Sequence, residues 1–208
     1  MSATVGRDGA TVTPKPLPHP LSGVTADTCD VTGYDAVVYD LDGTLVRLAV
    51  DWAAAEREAA SVFADHGVDA DGDLWAMLDL ADETGLRDEI ETVLSAHERE
   101  GARASERLEL ADCLPHPVPV GVCSLNCEAA CREALGTHDL RDAVRAVVGR
   151  DSVTTRKPDP EPLLATVDRL GLARDDPVLF VGDSRRDEET ARRAGVDFRY
   201  VPDGPSEF

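Results

Sequence analysis

At Ala36 the sequence turns to Ala-Val-Val-Tyr and then breaks off into Asp40-Leu41-Asp42-Gly43-Thr44. A short apolar run closed by a polar turn with a glycine reads as a buried strand that ends in a loop. Side chains of extended backbone alternate, so Asp40 and Asp42 leave the strand pointing the same way. Two carboxylates facing one place repel each other. Either one holds its proton near neutrality, or a divalent cation that prefers oxygen ligands settles between them.

The remaining text alternates between strand and helix. A strand is expected over 118–123, bounded by Pro115 and Pro117, then a helix from about Glu128 to Leu135 that ends near Gly136. A short strand near Val147, a helix over 161–170, a strand over 178–181, a helix over 188–194 and a strand over 198–201 follow. This rhythm predicts an α/β fold: a Rossmann-like, three-layer α/β/α core with a mostly parallel sheet and its ligand at the carboxyl ends of the strands.

The rhythm is interrupted between 47 and 112, where apolar residues recur at helical spacing. Trp52, Ala55, Ala59, Val62 and Phe63 form one stripe, Leu86, Ile90, Val93 and Leu94 another, and Gly67 and Gly72 separate the first helix from the next. Residues 1–33 carry Pro14, Pro16, Pro18 and Pro20 without apolar periodicity and read as an extended or disordered leader lacking the apolar centre of a signal peptide. The expected organisation is therefore a leader over 1–33, a core made of 34–46 and 113–208, and a helical insertion over 47–112. A chain of 208 residues has room for one α/β domain and a modest insertion, not for two large domains.

Charge narrows the function classes. The chain holds 41 Asp and Glu against 21 Lys and Arg, a net charge of −20, and its only lysines are Lys15 and Lys157. That balance excludes nucleic-acid binding by charge. No apolar run approaches the roughly 18 residues of a membrane span, so no membrane association is expected. A surface this acidic repels itself in dilute buffer, which points to a halophilic setting, a salt-rich cytoplasm that screens the repulsion. Five cysteines are an odd number, and a disulfide framework is not expected. Cys123, Cys127 and Cys131 recur every fourth residue without a Cys-x-x-Cys zinc spacing and read, with Cys113, as small buried thiols. Cys29 falls in the leader and reads as an exposed free thiol.

Two further strand ends carry polar clusters. Ser124 follows the second strand, and Gly182-Asp183-Ser184-Arg185-Arg186-Asp187 follows the 178–181 strand. Asp187 taken alone reads equally well as a helix cap. Between these ends lies Lys157, in Arg156-Lys157-Pro158-Asp159-Pro160. In a chain that otherwise avoids lysine, it suits a site that needs a compact positive charge beside an anion. The oxygen ligands suit magnesium. Asp69, Asp71 and Asp73 approach a calcium-loop spacing, but Leu74 stands where the glycine is needed, and a solvated turn is the better reading.

Asp40-Leu41-Asp42-Gly43-Thr44-Leu45 resembles the first motif of the haloacid dehalogenase superfamily of hydrolases. Ser124 resembles the second motif, Lys157 with Pro158 and Pro160 the third, and Gly182-Asp183 with Asp187, Ala191, Ala194 and Gly195 the fourth, over residues 35–203. The resemblance implies a magnesium-dependent phosphatase. In it Asp40 is the nucleophile that forms an aspartyl phosphate, Asp42 the general acid and base, and Ser124 and Lys157 the phosphate-binding pair. It further implies Mg2+ held by Asp40, the backbone carbonyl of Asp42 and Asp183, with Asp187 in support through water or Lys157.

The 47–112 insertion resembles the small helical cap of phosphoglycolate-phosphatase-like members, with Arg47 and Arg87 as candidate substrate contacts. The family often has an acidic residue where this chain has Arg47. Asp42 argues against carbon–halogen cleavage, which needs no acid, and the absence of lysine from 47–112 argues against the Schiff-base cleavage of phosphonates. The implied substrate is a small phosphorylated metabolite, handled in the cytoplasm by a monomer or homodimer. The alternatives are a phosphomutase of the same family, a non-catalytic interaction module that retains the fold, and an acidic cation-binding protein without chemistry.

Overall fold

A computed structural model describes residues 28–202 and 204. In chain order the elements are β1 (Ala36–Tyr39), β2 (Val46–Arg47), α1 (Trp52–Asp65), α2 (Leu74–Thr84), α3 (Arg87–Arg103) and β3 (Glu106–Arg107). Then follow β4 (Val120–Cys123), α4 (Glu128–Thr137), β5 (Ala146–Val148), α5 (Glu161–Leu170), β6 (Val178–Gly182), α6 (Arg185–Ala194) and β7 (Asp197–Tyr200). Among the described residues no helix is long and apolar enough to cross a membrane.

β1 is the centre of a five-stranded sheet of order β5-β4-β1-β6-β7. All four pairings are parallel, with Val37 opposite Val120 on one side and Leu179 on the other. The α/β reading of the sequence holds. Alternation along β1 sorts its side chains between the two faces of the sheet. Val37 and Tyr39 join Val122, Leu179 and the α4 residues Ala130, Cys131 and Ala134 in one core, whereas Ala36 and Val38 join Leu163 and Val167 of α5, Phe180 and the α6 residue Ala191 in the other. A strand buried on both faces must be apolar throughout, which is why Ala36–Tyr39 shows no polar interruption. The chain leaves β1 for β4 and β5 on one side, then returns to β6 and β7 on the other, so the topological switch point, where open α/β sheets bind ligands, lies between β1 and β6.

The helices α1–α3 lie between the short antiparallel pair β2 and β3, Val46 opposite Arg107, and they hold a core of their own around Ala55, Phe63, Leu78, Ile90 and Leu94. Asp51 and Asp73 cap α1 and α2, each accepting an amide N–H three residues on at 2.9 Å. The Asp69–Asp73 run is thus an exposed turn that ends in a helix cap.

Several expectations are corrected. Trp52, placed on the buried stripe, is 37% exposed at the first position of α1, where the helix has not yet met its neighbours. α6 starts three residues before the expected 188, because Ser184 and Asp187 close a capping box that carries the helix back to Arg185. Residues 1–27 of the expected leader lie outside the described residues, but 28–33 do not behave as a leader: Val31 is buried in the core, and Arg199 donates to the carbonyls of Thr28 and Asp30. Cys29 is not a free thiol, nor is Cys113. The two form a disulfide across 84 residues, which anchors the approach to β1 against the segment leading to β4. An odd cysteine count excludes complete pairing, but it leaves room for one long-range bridge. Cys123, Cys127 and Cys131 are free and buried.

Candidate active site

The carboxyl ends of β1, β4 and β6 meet at one ammonium group. Lys157 Nζ lies 2.7 Å from Asp40 Oδ1, 2.5 Å from Asp187 Oδ1 and 3.2 Å from the carbonyl of Cys123, the residue before Ser124. Lys157 is 4% exposed, Asp40 6% and Asp187 1%. A lysine desolvated to this degree stays charged only because it is paired. Burial works against its charge, and the adjacent Asp187 and Asp40 carboxylates more than compensate, so the group holds its proton firmly.

Asp187 does two jobs. One oxygen takes Lys157; the other accepts from the Ser184 hydroxyl at 2.5 Å and the Ser184 amide at 3.2 Å, completing the capping box. Asp187 thus takes part in capping α6 and contacts Lys157 at the same time. Its two oxygens are committed to protein donors, which suits a supporting place better than direct ligation.

Asp40, Asp183 and Asp187 offer carboxylate oxygens that lie within 4.8 Å of one another. Lys157 pairs with two of them, Asp40 and Asp187. Burial pushes the Asp40 carboxyl above the usual carboxylate range, the Lys157 ammonium pulls it down, and Asp187 and Asp183 push it up again. Close approach at this point depends on Gly43, whose φ of +82° suits glycine. A Cβ there would come within 2.9 Å of the Asp183 carboxyl carbon, so the glycine is what lets that carboxylate approach the Asp40 loop. An oxygen-only donor set of three carboxylates fits a hard divalent cation such as magnesium.

Asp42 is not among these three carboxylates. Its Oδ1 accepts the amide of Leu48 at 2.8 Å, which ties the start of the helical insertion to the loop after β1. Burial lifts its carboxyl, the Leu48 amide lowers it, Asp183 raises it and Arg47 lowers it, for a value of about 6. Thr44, two residues on, has a buried hydroxyl with no hydrogen-bond partner among the described residues. Ser124 is 2% exposed; its amide donates to Val148 at 2.9 Å, and its hydroxyl accepts from the amide and side chain of Asn126 at 3.2 and 3.3 Å.

Of the two candidate substrate contacts, Arg47 is the exposed residue of β2, with Glu106 at 3.6 Å, and its charge acts on Asp42. Arg87 opens α3 and is held by Asp82 at 2.5 Å and Glu91 at 3.1 Å, and no described contact joins it to the Asp40 cluster.

Two arginines beside the motif residues join the insertion to the core. Arg156, the neighbour of Lys157, pairs with Asp79 and Asp82 of α2, and Arg186, between Asp183 and Asp187, places Cζ 4.3 Å from the ring centroid of Trp75, also on α2. Both bridge the helical insertion to the loops that carry the site. A further buried pair, Glu98 of α3 with Arg150 after β5, lies behind Ser124. Glu98 had a signal: it extends the stripe Ile90, Leu94 at four-residue spacing, a charge where an apolar residue is due.

Residues 106–201 match the sequence profile of the haloacid dehalogenase-like hydrolases. A phosphoglycolate phosphatase of Rhodospirillum rubrum is 32% identical over 187 residues, covering 77% of this chain and 76% of the relative. One of Cereibacter sphaeroides is 33% identical over 199 residues, covering 81% and 85%. Among solved structures, a HAD-superfamily hydrolase of subfamily IA from Geobacter sulfurreducens superposes with a TM-score of 0.53 at 27% identity, over 79% of this chain and 88% of that one. A HAD-superfamily hydrolase from Ehrlichia chaffeensis reaches 0.55 at 21% identity, over 85% and 92%, a likeness of fold. The chain belongs to the haloacid dehalogenase-like hydrolases.

Proposed function

We propose that the chain is a magnesium-dependent phosphatase that hydrolyses a small organic phosphate monoester through an aspartyl phosphate on Asp40, with a two-carbon ester such as phosphoglycolate as the first candidate. The observation that carries this reading is the Lys157 ammonium set between Asp40 and Asp187 at the ends of parallel strands, where a phosphoryl group would find a nucleophile and a fixed positive charge together. The relatives named phosphoglycolate phosphatase supply the substrate class.

Asp40 would attack phosphorus through a carboxylate oxygen. As the P–O ester bond breaks, Asp42 gives its proton to the leaving alkoxide. Asp42, now a carboxylate, takes a proton from water; the water oxygen attacks the acyl phosphate, and inorganic phosphate departs from a restored Asp40. Ser124 and Lys157 hold phosphoryl oxygens throughout. Asp40, Asp183 and the backbone carbonyl of Asp42 would hold the cation, with Asp187 fixing Lys157. Bound magnesium would supply positive charge against the phosphoryl oxygens as negative charge spreads over them. Residues 47–112 would act as a cap that excludes water and selects substrate, held to the core through Arg156 and Arg186. The setting would be a salt-rich cytoplasm.

The test is phosphate release from a panel of small phosphate esters in molar KCl with magnesium, run beside Asp40→Asn. Release that disappears in the variant and on chelation supports the reading. Silence of the folded wild type on every ester would sink it in favour of transfer to a sugar phosphate or of a non-catalytic role.

A further inference from the structure

Glu98 is fully buried at 0% exposure in α3, and Arg150 is 3% exposed in the turn after β5. Their ion pair does more than neutralise two charges. Glu98 Oε2 accepts the amide N–H of Cys127 at 2.8 Å, and Arg150 donates from its guanidinium to the Leu125 carbonyl at 2.9 Å and from its own amide to the Asn126 carbonyl at 2.9 Å. The side chains of the pair thus hold Leu125 and Cys127, on either side of Asn126, and the Arg150 backbone amide holds Asn126 itself. Asn126, the middle one, donates twice to the Ser124 hydroxyl. Glu91, also on α3, completes the guanidinium's partners at 2.7 to 3.0 Å.

A buried carboxylate–guanidinium pair adds little stability compared with apolar side chains of similar size, so stability alone does not account for one here. What it supplies is fixed position. We propose that Glu98 and Arg150 are positioning residues: they brace loop 124–127 so that the Ser124 hydroxyl stays set for a phosphoryl oxygen, and they tie that setting to the place of helix α3. The proposal rests on the phosphatase reading for its kinetic consequence, but not for its structural one.

The experiment is a double-mutant cycle in the full chain between E98L/R150M, which swaps the pair for apolar side chains of comparable volume, and Ser124→Ala. Loss of the brace should lower kcat/KM by roughly ten- to hundredfold, as expected for a reacting group misplaced by about an ångström. In the Ser124→Ala background the same change should cost no more than about twofold. An equal loss with and without Ser124 would overturn the proposal, since a general loosening of the fold gives that result.

Amide hydrogen exchange supplies a readout that needs no activity. Ser124 and Asn126 should exchange roughly tenfold or more faster in the variant while the β1 amides keep their protection, and unchanged exchange in the loop overturns the proposal even if the enzyme is a phosphatase. If the wild type hydrolyses no ester but the loop still loosens, the brace stands and the phosphatase reading falls. Should E98L/R150M not fold, Arg150→Lys, which keeps the charge but not the planar fork, should show the same loop-confined change.

Discussion

Arg186 lies over Trp75, its Cζ 4.3 Å from the ring centroid, so a residue between Asp183 and Asp187 is held by the second helix of the insertion. Arg156, next to Lys157, reaches the same helix at Asp79 and Asp82. Two of the loops at the site, those of Lys157 and of Asp183, are therefore tied to α2. The ion pairs are partly exposed and sensitive to salt, whereas the ring contact depends less on ionic strength.

Replacing Trp75 with Ala should free α2 from the fourth-motif loop at a cost of about 1 kcal/mol, or roughly fivefold in kcat/KM if closure of the helices contributes to the reaction. Asp79→Asn with Asp82→Asn should weaken the same closure at low salt and matter little in molar KCl. Steady-state kinetics at both salt concentrations checks this; a Trp75→Ala enzyme with unchanged kcat/KM would mean that the contact is decoration.

Lys157→Met removes the one ammonium between Asp40 and Asp187, leaving two buried carboxylates facing each other. Breaking a buried pair from one side costs about 3–5 kcal/mol. The variant should therefore unfold at much lower denaturant than the wild type in the absence of metal, and magnesium should return part of the loss by taking over the missing positive charge. Urea unfolding with and without magnesium measures both. A variant as stable as the wild type without metal would show that the two carboxylates are not ionised together.

The strands and the local turn chemistry were legible in the sequence because they depend on near neighbours. Ala36–Tyr39 had to be a two-sided buried strand, and the glycine after Asp42 had to be a turn. The pairing of the ammonium with Asp40 and Asp187 spans 117 and 30 residues, and only closure of the parallel sheet brings those groups together. Cys29–Cys113, Arg186–Trp75 and Glu98–Arg150 were illegible for the same reason, since side-chain partners far apart in sequence leave no periodicity. Glu98 is the instructive case: its place on the stripe of Ile90 and Leu94 announces a buried charge, but nothing near it in the sequence names Arg150.

Glu128, at the start of α4, links that helix to its surroundings through Ser152 at 2.6 Å, Arg169 at 2.9 Å and Arg132 at 2.8 Å. Burial would raise its pKa, but the hydrogen bonds from Ser152, Arg169 and Arg132 outweigh it and hold the carboxyl at about 2, below the ordinary 4.5. A carboxyl depressed in the folded state stabilises fully above its unfolded value, and the contribution disappears as pH falls from about 4.5 towards 2. With its side chain 26% exposed, about 1–2 kcal/mol is a fair share after solvent screening. Glu128→Gln should lose that amount at pH 7, and the gap to the wild type should narrow in urea titrations below pH 4.5. A gap that does not change with pH would mean the loss is one of packing.

The chain as a whole carries a net charge of −20, so long-range repulsion opposes folding wherever it is unscreened. The Debye length is about 30 Å at 0.01 M salt, comparable to the size of the fold, and about 3 Å at 1 M. Raising KCl across that range should lift Tm by about 5 °C, which for a chain of this length corresponds to a gain of about 2 kcal/mol. Most of the rise should come below about 0.5 M, because the Debye length there is already close to contact distance. The surface ion pairs, Arg103 with Glu133 and Arg107 with Asp112 among them, weaken over the same range and work against the gain. Thermal unfolding in a KCl series therefore reads which is larger, the repulsion summed over the surface or the local pairs set within it. A Tm that stays flat or falls would show that the acidic excess is already neutralised locally, and the salt-rich setting would lose its physical basis.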